Sequence, residues 1–108
     1  EALAGVGDLV LPARVEGRTS AWHLYVVRTR QRDQLLAACR AAGVGAGVHY
    51  PVPLHLQPAW RHLGYARGDL PVTEAWAFEC LSLPLYPELT EAQQDRVVEA
   101  VRGFFGER

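Results

Sequence analysis

The sequence predicts a small α/β domain, an α+β two-layer sandwich whose helices cover a mainly antiparallel or mixed sheet of three to four strands. Its 108 residues, 49% of them hydrophobic and 21% charged, suit a single globular domain with one core. Segments with the two-residue apolar period of strands alternate with segments that have the 3.6-residue period of helices. Three short strands are too few for a doubly wound parallel sheet.

Residues 21–29, AWHLYVVRT, form the clearest predicted strand. The segment is rich in aromatic and β-branched residues, and both of its alternating faces carry large side chains. We therefore expect a central strand that is covered on both sides. A single histidine in such a strand is more often a hydrogen-bonded core residue than a ligand, and this is the interpretation of His23.

The next two elements are a helix over residues 32–42 and a strand over residues 44–50. The helix has an acidic first turn at Asp33 and an apolar face made of Leu35, Leu36, Cys39 and Ala42. Gly43 is predicted to end it. Glycines 45 and 47 interrupt the strand, which indicates a bulge or a close backbone approach just before His49.

The C-terminal half is predicted to contain two short helices, a short strand and a long helix. Residues 58–63 form one or two helical turns that Gly64 closes, and residues 73–80 form a helix that turns Trp76 and Phe78 or Cys80 inward. Residues 81–84 form the strand. The last helix begins with a capping box of Thr90 and Gln93, and it has an apolar face formed by Val97, Val101, Phe104 and Phe105.

Composition excludes several classes of function. The net charge is −1 and no basic run is present, so the electrostatic footprint of a nucleic-acid-binding protein is missing. No signal peptide or membrane span is recognised, and a cytoplasmic protein is expected. Cys39 and Cys80 are too few for a disulfide framework and are interpreted as reduced, buried packing residues.

The stretch HYPVPLHLQ, residues 49–57, holds the main candidate binding groups. Its two prolines force extended geometry on the residues before them, which favours a stiff connector that presents polar rings at the end of a strand. Ordered loops on a rigid scaffold are common binding sites. The residues alone leave a second interpretation open, a proline-stiffened turn whose rings only pack locally.

A metal site and a nucleophilic site are not expected. His49, His55 and His62 lie six and seven residues apart, whereas zinc ligands usually come in tighter pairs, and the prolines prevent one helix from aligning them. The two cysteines lie in apolar surroundings, which raise the pKa of a thiol. The motifs of serine hydrolases, P-loop proteins and dinucleotide-binding folds are absent, so no catalytic residue is assigned.

One ordered series of motifs resembles the C-terminal small domain of DegT/StrS-type nucleotide-sugar aminotransferases, which are enzymes of PLP fold type I. The series covers roughly residues 20–105 and consists, in order, of WHLYVVR, RDQL, Gly43-Val44, HYPVPLHLQ, GDLP, Glu74, LSLPLYP and LTEAQ. The resemblance implies that residues 1–20 are the end of the interdomain helix and the entry segment. Residues 21–108 would be the small domain of a longer protein, as the start at Glu1 without a methionine also suggests.

The resemblance further implies what the parent enzyme does. It would use pyridoxal phosphate to transfer an amino group, usually from glutamate, to a keto-sugar carried by a nucleotide. His49 and Tyr50 would contact the nucleotide diphosphate, while an N-terminal domain would supply the catalytic lysine and most of the cofactor site. A homodimer is expected. All eleven basic residues of this chain are arginine, so the chain alone should be inactive and bind no cofactor. The alternative is a non-catalytic small-molecule or protein-binding module derived from the same fold.

Overall fold

The computed structural model describes residues 2–106. It contains two strands and three α-helices in that range. They are β1 (Tyr25–Arg28), α1 (Arg32–Ala41), α2 (Pro71–Glu79), β2 (Cys80–Leu83) and α3 (Glu91–Phe104). Two short 3₁₀ helices, Leu54–Leu56 and Pro58–Leu63, lie between α1 and α2. The predicted α/β class is confirmed.

The sheet is narrower than predicted. β1 and β2 pair antiparallel, with Tyr25 opposite Leu83 and Arg28 opposite Cys80. A single bridge flanks each strand on its outer side, from Val10 to Arg28 and from Gly47 to Ser82. The predicted strand over residues 44–50 is therefore wrong in the described chain, since only Gly47 pairs there. Glycine loses much backbone entropy in a ladder and offers no side chain to pack, which explains why the pairing stays at one bridge.

The predicted strand over residues 21–29 shortens to β1. Trp22 adopts a positive φ of 49°, which is incompatible with strand geometry, and residues 21–24 are exposed. His23 therefore lies at the surface, and its interpretation as a core residue is wrong. The central position of β1 is correct, because Val10 pairs on one side and β2 on the other.

The two faces of the sheet have different neighbours. Val27, Leu81 and Leu83 belong to the main core cluster together with Leu35 of α1 and Val101 of α3. Because side chains alternate along a strand, residues such as Ser82 point to the opposite face. On that second face, α2 contacts β1. The second face is the one that meets the loop formed by residues 49–57.

Helix α1 ends one residue before its predicted end, and α3 begins directly after its predicted N-cap, Thr90. Leu35 and Cys39 of α1 are fully buried, and Gly43 ends the helix region with a φ of 74° that favours glycine. The Thr90 hydroxyl accepts from the Gln93 backbone N–H and the Gln93 side chain accepts in return, which confirms the capping box.

The face of α2 that is buried differs from the predicted one. Trp76 and Phe78 are each 46% exposed, while Glu74 and Ala77 are buried. The buried carboxylate of Glu74 is tolerated because three donors, His55 and the backbone N–H groups of Gly68 and Leu70, form hydrogen bonds to it. An analysis of apolar faces cannot detect such a residue. The inward orientation predicted for Trp76 is wrong. Of the two alternatives given beside it, Phe78 is exposed and Cys80 is buried, so the prediction holds for Cys80.

Both cysteines are free and buried, as predicted. Burial raises the pKa of the Cys39 thiol, which keeps it in its unreactive protonated form at neutral pH. Cys80 opens β2 and does not lie in a helix.

Residues 2–8 form turns, so the end of an interdomain helix is not seen there; Glu1, Glu107 and Arg108 lie outside the described residues. The boundary at residue 20 stays a prediction. Gly7 has a φ of 51°, and a Cβ on it would overlap the Phe105 ring, so this turn packs directly against the end of α3. Among residues 2–106, no helix is long and apolar enough to cross a membrane.

Candidate functional site

Residues 49–57 leave the edge of the sheet directly after the Gly47 bridge. Pro53 is buried with extended ψ, and the chain then turns into the first 3₁₀ helix. Tyr50 is 73% exposed and Val52 is 46% exposed. The structure thus has the predicted form in part: the connector is anchored at Pro53 and exposes His49 and Tyr50, whereas the ring of His55 is buried.

The two predicted substrate-binding residues lie side by side. The rings of His49 and Tyr50 meet edge to face, with 5.6 Å between their centroids. Nδ1 of His49 is hydrogen-bonded to Oγ of Ser82 at 2.9 Å. Within residues 2–106, Nε2 of His49 and the Tyr50 hydroxyl have no hydrogen-bond partner in the protein, and both groups can donate to an anionic oxygen.

A cavity of about 200 Å³ opens beside these two rings. One wall is the loop and the other is the exposed side of α2 and the start of β2. It is lined by His49, Tyr50, Val52, Pro53, Leu54, Gln57, Thr73, Trp76, Ala77 and Cys80. An apolar pocket with a few convergent polar groups is the usual form of a small-molecule site. His49, Tyr50, Gln57 and Thr73 supply its polar side chains.

Trp76, which forms part of the α2 wall, makes a cation–π contact with Arg28. The guanidinium of Arg28 lies 4.7 Å from the centre of the Trp76 ring and pairs with Glu79 at 3.4 Å. A cation over an aromatic face contributes about 0.5–1 kcal/mol at an exposed site. This contact ties the exposed indole to β1 and fixes one wall of the cavity.

The base of the loop is fixed by a buried pair that the sequence did not suggest. Nε2 of His55 donates to the Glu74 carboxylate at 3.0 Å, and both side chains are at least nine-tenths buried. The same carboxylate accepts from the backbone N–H groups of Gly68 at 2.8 Å and Leu70 at 3.4 Å. Glu74 thereby joins the loop, the following turn and α2.

The acid stability of the domain should depend on Glu74. The hydrogen bond from His55 lowers the pKa of the Glu74 carboxyl from its ordinary value of 4.5; burial opposes this shift, and the backbone N–H groups reinforce it. A carboxyl whose pKa is lower in the folded state stabilises the fold above its unfolded-state pKa. That stabilisation is lost as the pH falls through the folded-state pKa.

We expect Glu74→Gln to be less stable than the unchanged chain at neutral pH and to lose less stability on acidification. Urea unfolding at steps from neutral pH to about pH 3 measures this. Glu88→Gln is the matched control, because the Glu88 side chain is exposed and, within residues 2–106, makes no hydrogen bond or ion pair. If the free energy of unfolding fell equally with pH in the unchanged chain and in the Glu74 variant, the assigned role of Glu74 in acid stability would be contradicted.

The four histidines do not converge. His55 is engaged with Glu74, His62 packs near Trp60, and His23 lies at the surface. Within the described part of the chain, no group of three or more histidine, cysteine or acidic residues is placed to hold a metal ion. The expectation that no metal is bound stays a prediction.

The motifs that carry the resemblance include Ser82 and Glu74, but the sequence analysis assigned neither residue a role in the site. Each is a polar residue that is buried, on β2 and α2 respectively. Their partners lie 33 and 19 residues away in the chain. A single sequence carries no signal for pairings at such separations. A serine between two leucines in a short strand is the one local hint that a hydroxyl on that face has a partner.

Residues 1–102 match the profile of the DegT/DnrJ/EryC1/StrS aminotransferase family. The chain is 48% identical over 101 residues to a pleiotropic regulatory protein of Geobacillus stearothermophilus. The aligned region covers 93% of this chain and 27% of that protein. It is 42% identical over 100 residues to a dTDP-3-amino-3,4,6-trideoxy-alpha-D-glucose transaminase of Streptomyces venezuelae. That alignment covers 93% of this chain and 26% of the transaminase.

Solved structures agree. The fold superimposes on S. venezuelae DesV with a TM-score of 0.94 and 39% identity, covering 99% of this chain and 29% of that chain. It also matches NtdA from Bacillus subtilis with bound cofactor PMP, with a TM-score of 0.79 and 31% identity, covering 97% of this chain and 25% of that chain. The chain thus spans about a quarter of the length of the relatives it matches. It belongs to the DegT/DnrJ/EryC1/StrS aminotransferase family.

Proposed function

We propose that this chain is the C-terminal small domain of a PLP-dependent aminotransferase that transfers an amino group, from glutamate, to a nucleotide-linked keto-sugar. The observation that carries the proposal is the position of His49 and Tyr50, whose free donors border one cavity in a member of this family. The family match extends over almost the whole chain, and the S. venezuelae relative is a transaminase of a dTDP-sugar.

In this proposal the domain binds substrate and the chemistry happens elsewhere. Every basic residue of the chain is arginine, so it offers no ε-amine to bond PLP. The residues present therefore do not fit the covalent cofactor site, and no chemical step is assigned to this chain. An N-terminal domain of the full-length protein would hold PLP and carry the lysine. NtdA, solved with PMP, supports the assignment of the cofactor.

The diphosphate is the group that we assign to His49 and Tyr50. An imidazole N–H and a phenol O–H on a stiff loop donate well to phosphate oxygens, and hydrogen bonds to charged groups contribute about 1.5–3 kcal/mol each. The loop is held by Pro53 and by the His55–Glu74 pair, so the donors are in place before the substrate binds. Such preorganisation lowers the entropy cost of binding.

The exposed aromatic surface fits a domain that is covered in the full-length enzyme. Large apolar side chains at Trp22, Trp60, Trp76, Phe78 and Tyr86 are each 40% exposed or more. Large exposed apolar side chains in such number are typical of a domain that has interaction surfaces. We assign those outside the cavity to contacts with the N-terminal PLP domain and with a second subunit. A homodimer in the cytoplasm belongs to the same proposal.

Tyr50→Phe tests the proposed function in the full-length protein. The change removes one hydroxyl from an exposed ring, so the fold should be unaffected while the affinity for dTDP falls about tenfold. Titration calorimetry with dTDP measures the affinity. Tyr65→Phe is the matched control, because Tyr65 is also exposed and lies outside the cavity lining.

Two results would contradict the proposal. One is equal dTDP affinity for Tyr50→Phe and Tyr65→Phe. The other is an unchanged protein that does not bind dTDP and transfers no amino group from glutamate, which is the behaviour of the alternative, a non-catalytic binding module.

A further inference from the structure

One buried hydroxyl, that of Ser82, is hydrogen-bonded to the His49 ring. Ser82 lies between Leu81 and Leu83, which both belong to the main core cluster, so its side chain points to the opposite face of the sheet. The residue is 5% exposed, and its hydroxyl is 2.9 Å from Nδ1 of His49. Within the range 2–106, this imidazole is the only side chain to which the Ser82 hydroxyl is hydrogen-bonded.

The backbone holds the two residues in register. The Gly47 N–H donates to the Ser82 carbonyl at 3.0 Å, and the Ser82 N–H donates to the Gly47 carbonyl at 2.7 Å. A Cβ added at Gly47 would lie 3.4 Å from Cε1 of His49, so the ring lies next to the space that this glycine leaves open. The backbone pairing fixes the chain two residues before His49, and the serine hydroxyl holds the imidazole itself.

We propose that Ser82 is a positioning residue for substrate binding: it holds His49 by Nδ1 and leaves Nε2 to donate to the diphosphate. This inference rests on the proposed function. A hydroxyl both donates and accepts. In the proposed arrangement it donates to Nδ1 of the neutral ring, which then carries its proton on Nε2, and it accepts from Nδ1–H of the protonated ring. In these two states Nε2 is a donor and the ring keeps its orientation.

A packing role alone would not require the hydroxyl. The bridge to Gly47 uses only backbone atoms, and alanine would fill nearly the same volume on β2. A buried hydroxyl without a partner is unfavourable, so a serine at this position indicates that its bond to His49 matters. The contribution of that bond is measurable as a coupling between the two side chains.

A double-mutant cycle in the full-length holoenzyme tests the coupling, with dTDP as the probe and calorimetry as the measurement. We expect His49→Ala to weaken binding ten- to a hundredfold and Ser82→Ala about three- to tenfold. In the His49→Ala background, Ser82→Ala should change the affinity by less than about twofold, because its partner is gone. Ser82→Thr, which keeps the hydroxyl, should bind within about twofold of the unchanged protein.

Thr29→Ala is the matched control. Thr29 is also buried and its hydroxyl is hydrogen-bonded, to Asp8, but it lies outside the cavity lining. Removal of the Thr29 hydroxyl should lower the melting temperature of the protein and leave its affinity for dTDP unchanged. If Ser82→Ala does not fold, Ser82→Cys replaces it in the cycle, because a thiol has a similar shape and is a weak donor.

The outcomes separate the two proposals. If Ser82→Ala weakens binding as much in the His49→Ala background as in the unchanged protein, Ser82 does not act through His49 and the inference is overturned. If His49→Ala itself binds dTDP as tightly as the unchanged protein, the proposed function fails and the inference falls with it.

Discussion

Replacing Arg32 by alanine is expected to lower the free energy of unfolding by about 3 kcal/mol. The guanidinium side chain is only 8% exposed, and its Nη1 donates to the carbonyls of Ala77 at 3.0 Å and Cys80 at 3.3 Å. These carbonyls lie where α2 ends and β2 begins. Alanine would leave two buried acceptors without a donor, and each such loss costs about 1–3 kcal/mol.

The effect should depend on those two hydrogen bonds and not on the positive charge. Arg40→Ala removes the same charge from the same helix, but Arg40 is exposed, so we expect a loss below about 1 kcal/mol. Arg32→Lys keeps the charge and loses the planar donor geometry, so its loss of unfolding free energy should lie between those of Arg32→Ala and Arg40→Ala. Urea unfolding followed by tryptophan fluorescence measures all three. Equal losses for Arg32→Ala and Arg40→Ala would contradict this account.

The helices α1 and α3 were predictable because their stability is encoded locally. An apolar residue every three to four positions defines the buried face that holds Leu35 or Val101, and Gly43 marks a helix end. The capping box of Thr90 and Gln93 involves residues only three apart. The α/β class follows from the same local patterns.

The elements that were mispredicted depend on distant partners. Residues 21–24 have strand composition, yet within residues 2–106 no strand pairs with them, and Trp22 takes a positive φ. In the same range, residues 44–50 form a single bridge, at Gly47, where glycine offers no side chain to stabilise a ladder. Strand propensity describes the fit to a sheet surface, and it cannot say whether a partner strand is present.

The site was predictable in part. Prolines 51 and 53 reveal a stiff loop, and the resemblance to a family picks out His49 and Tyr50 within it. The sequence cannot show what holds the loop, because Ser82 and Glu74 become neighbours of His49 and His55 only through the fold. The cavity likewise exists only because α2 packs beside the loop.

The proposed role of His49 predicts a large and selective loss of function. In the full-length protein, His49→Ala removes a charge-assisted hydrogen bond to the diphosphate, which contributes about 1.5–3 kcal/mol, so the step with the sugar nucleotide should slow ten- to a hundredfold at low substrate concentration. Glutamate carries no diphosphate, so its step should change by less than about twofold. His62→Ala is the matched control, because His62 is exposed and lies outside the cavity lining.

The central claim, that this loop serves the nucleotide-sugar substrate and not the cofactor, is tested most directly by measuring the two half-reactions separately. Stopped-flow absorbance of the cofactor follows the reaction with glutamate in one experiment and with a dTDP-linked amino sugar in the other. The account predicts that His49→Ala slows only the sugar half-reaction and retains PLP as well as the unchanged protein does. Equal slowing of both half-reactions, or loss of PLP, would contradict it.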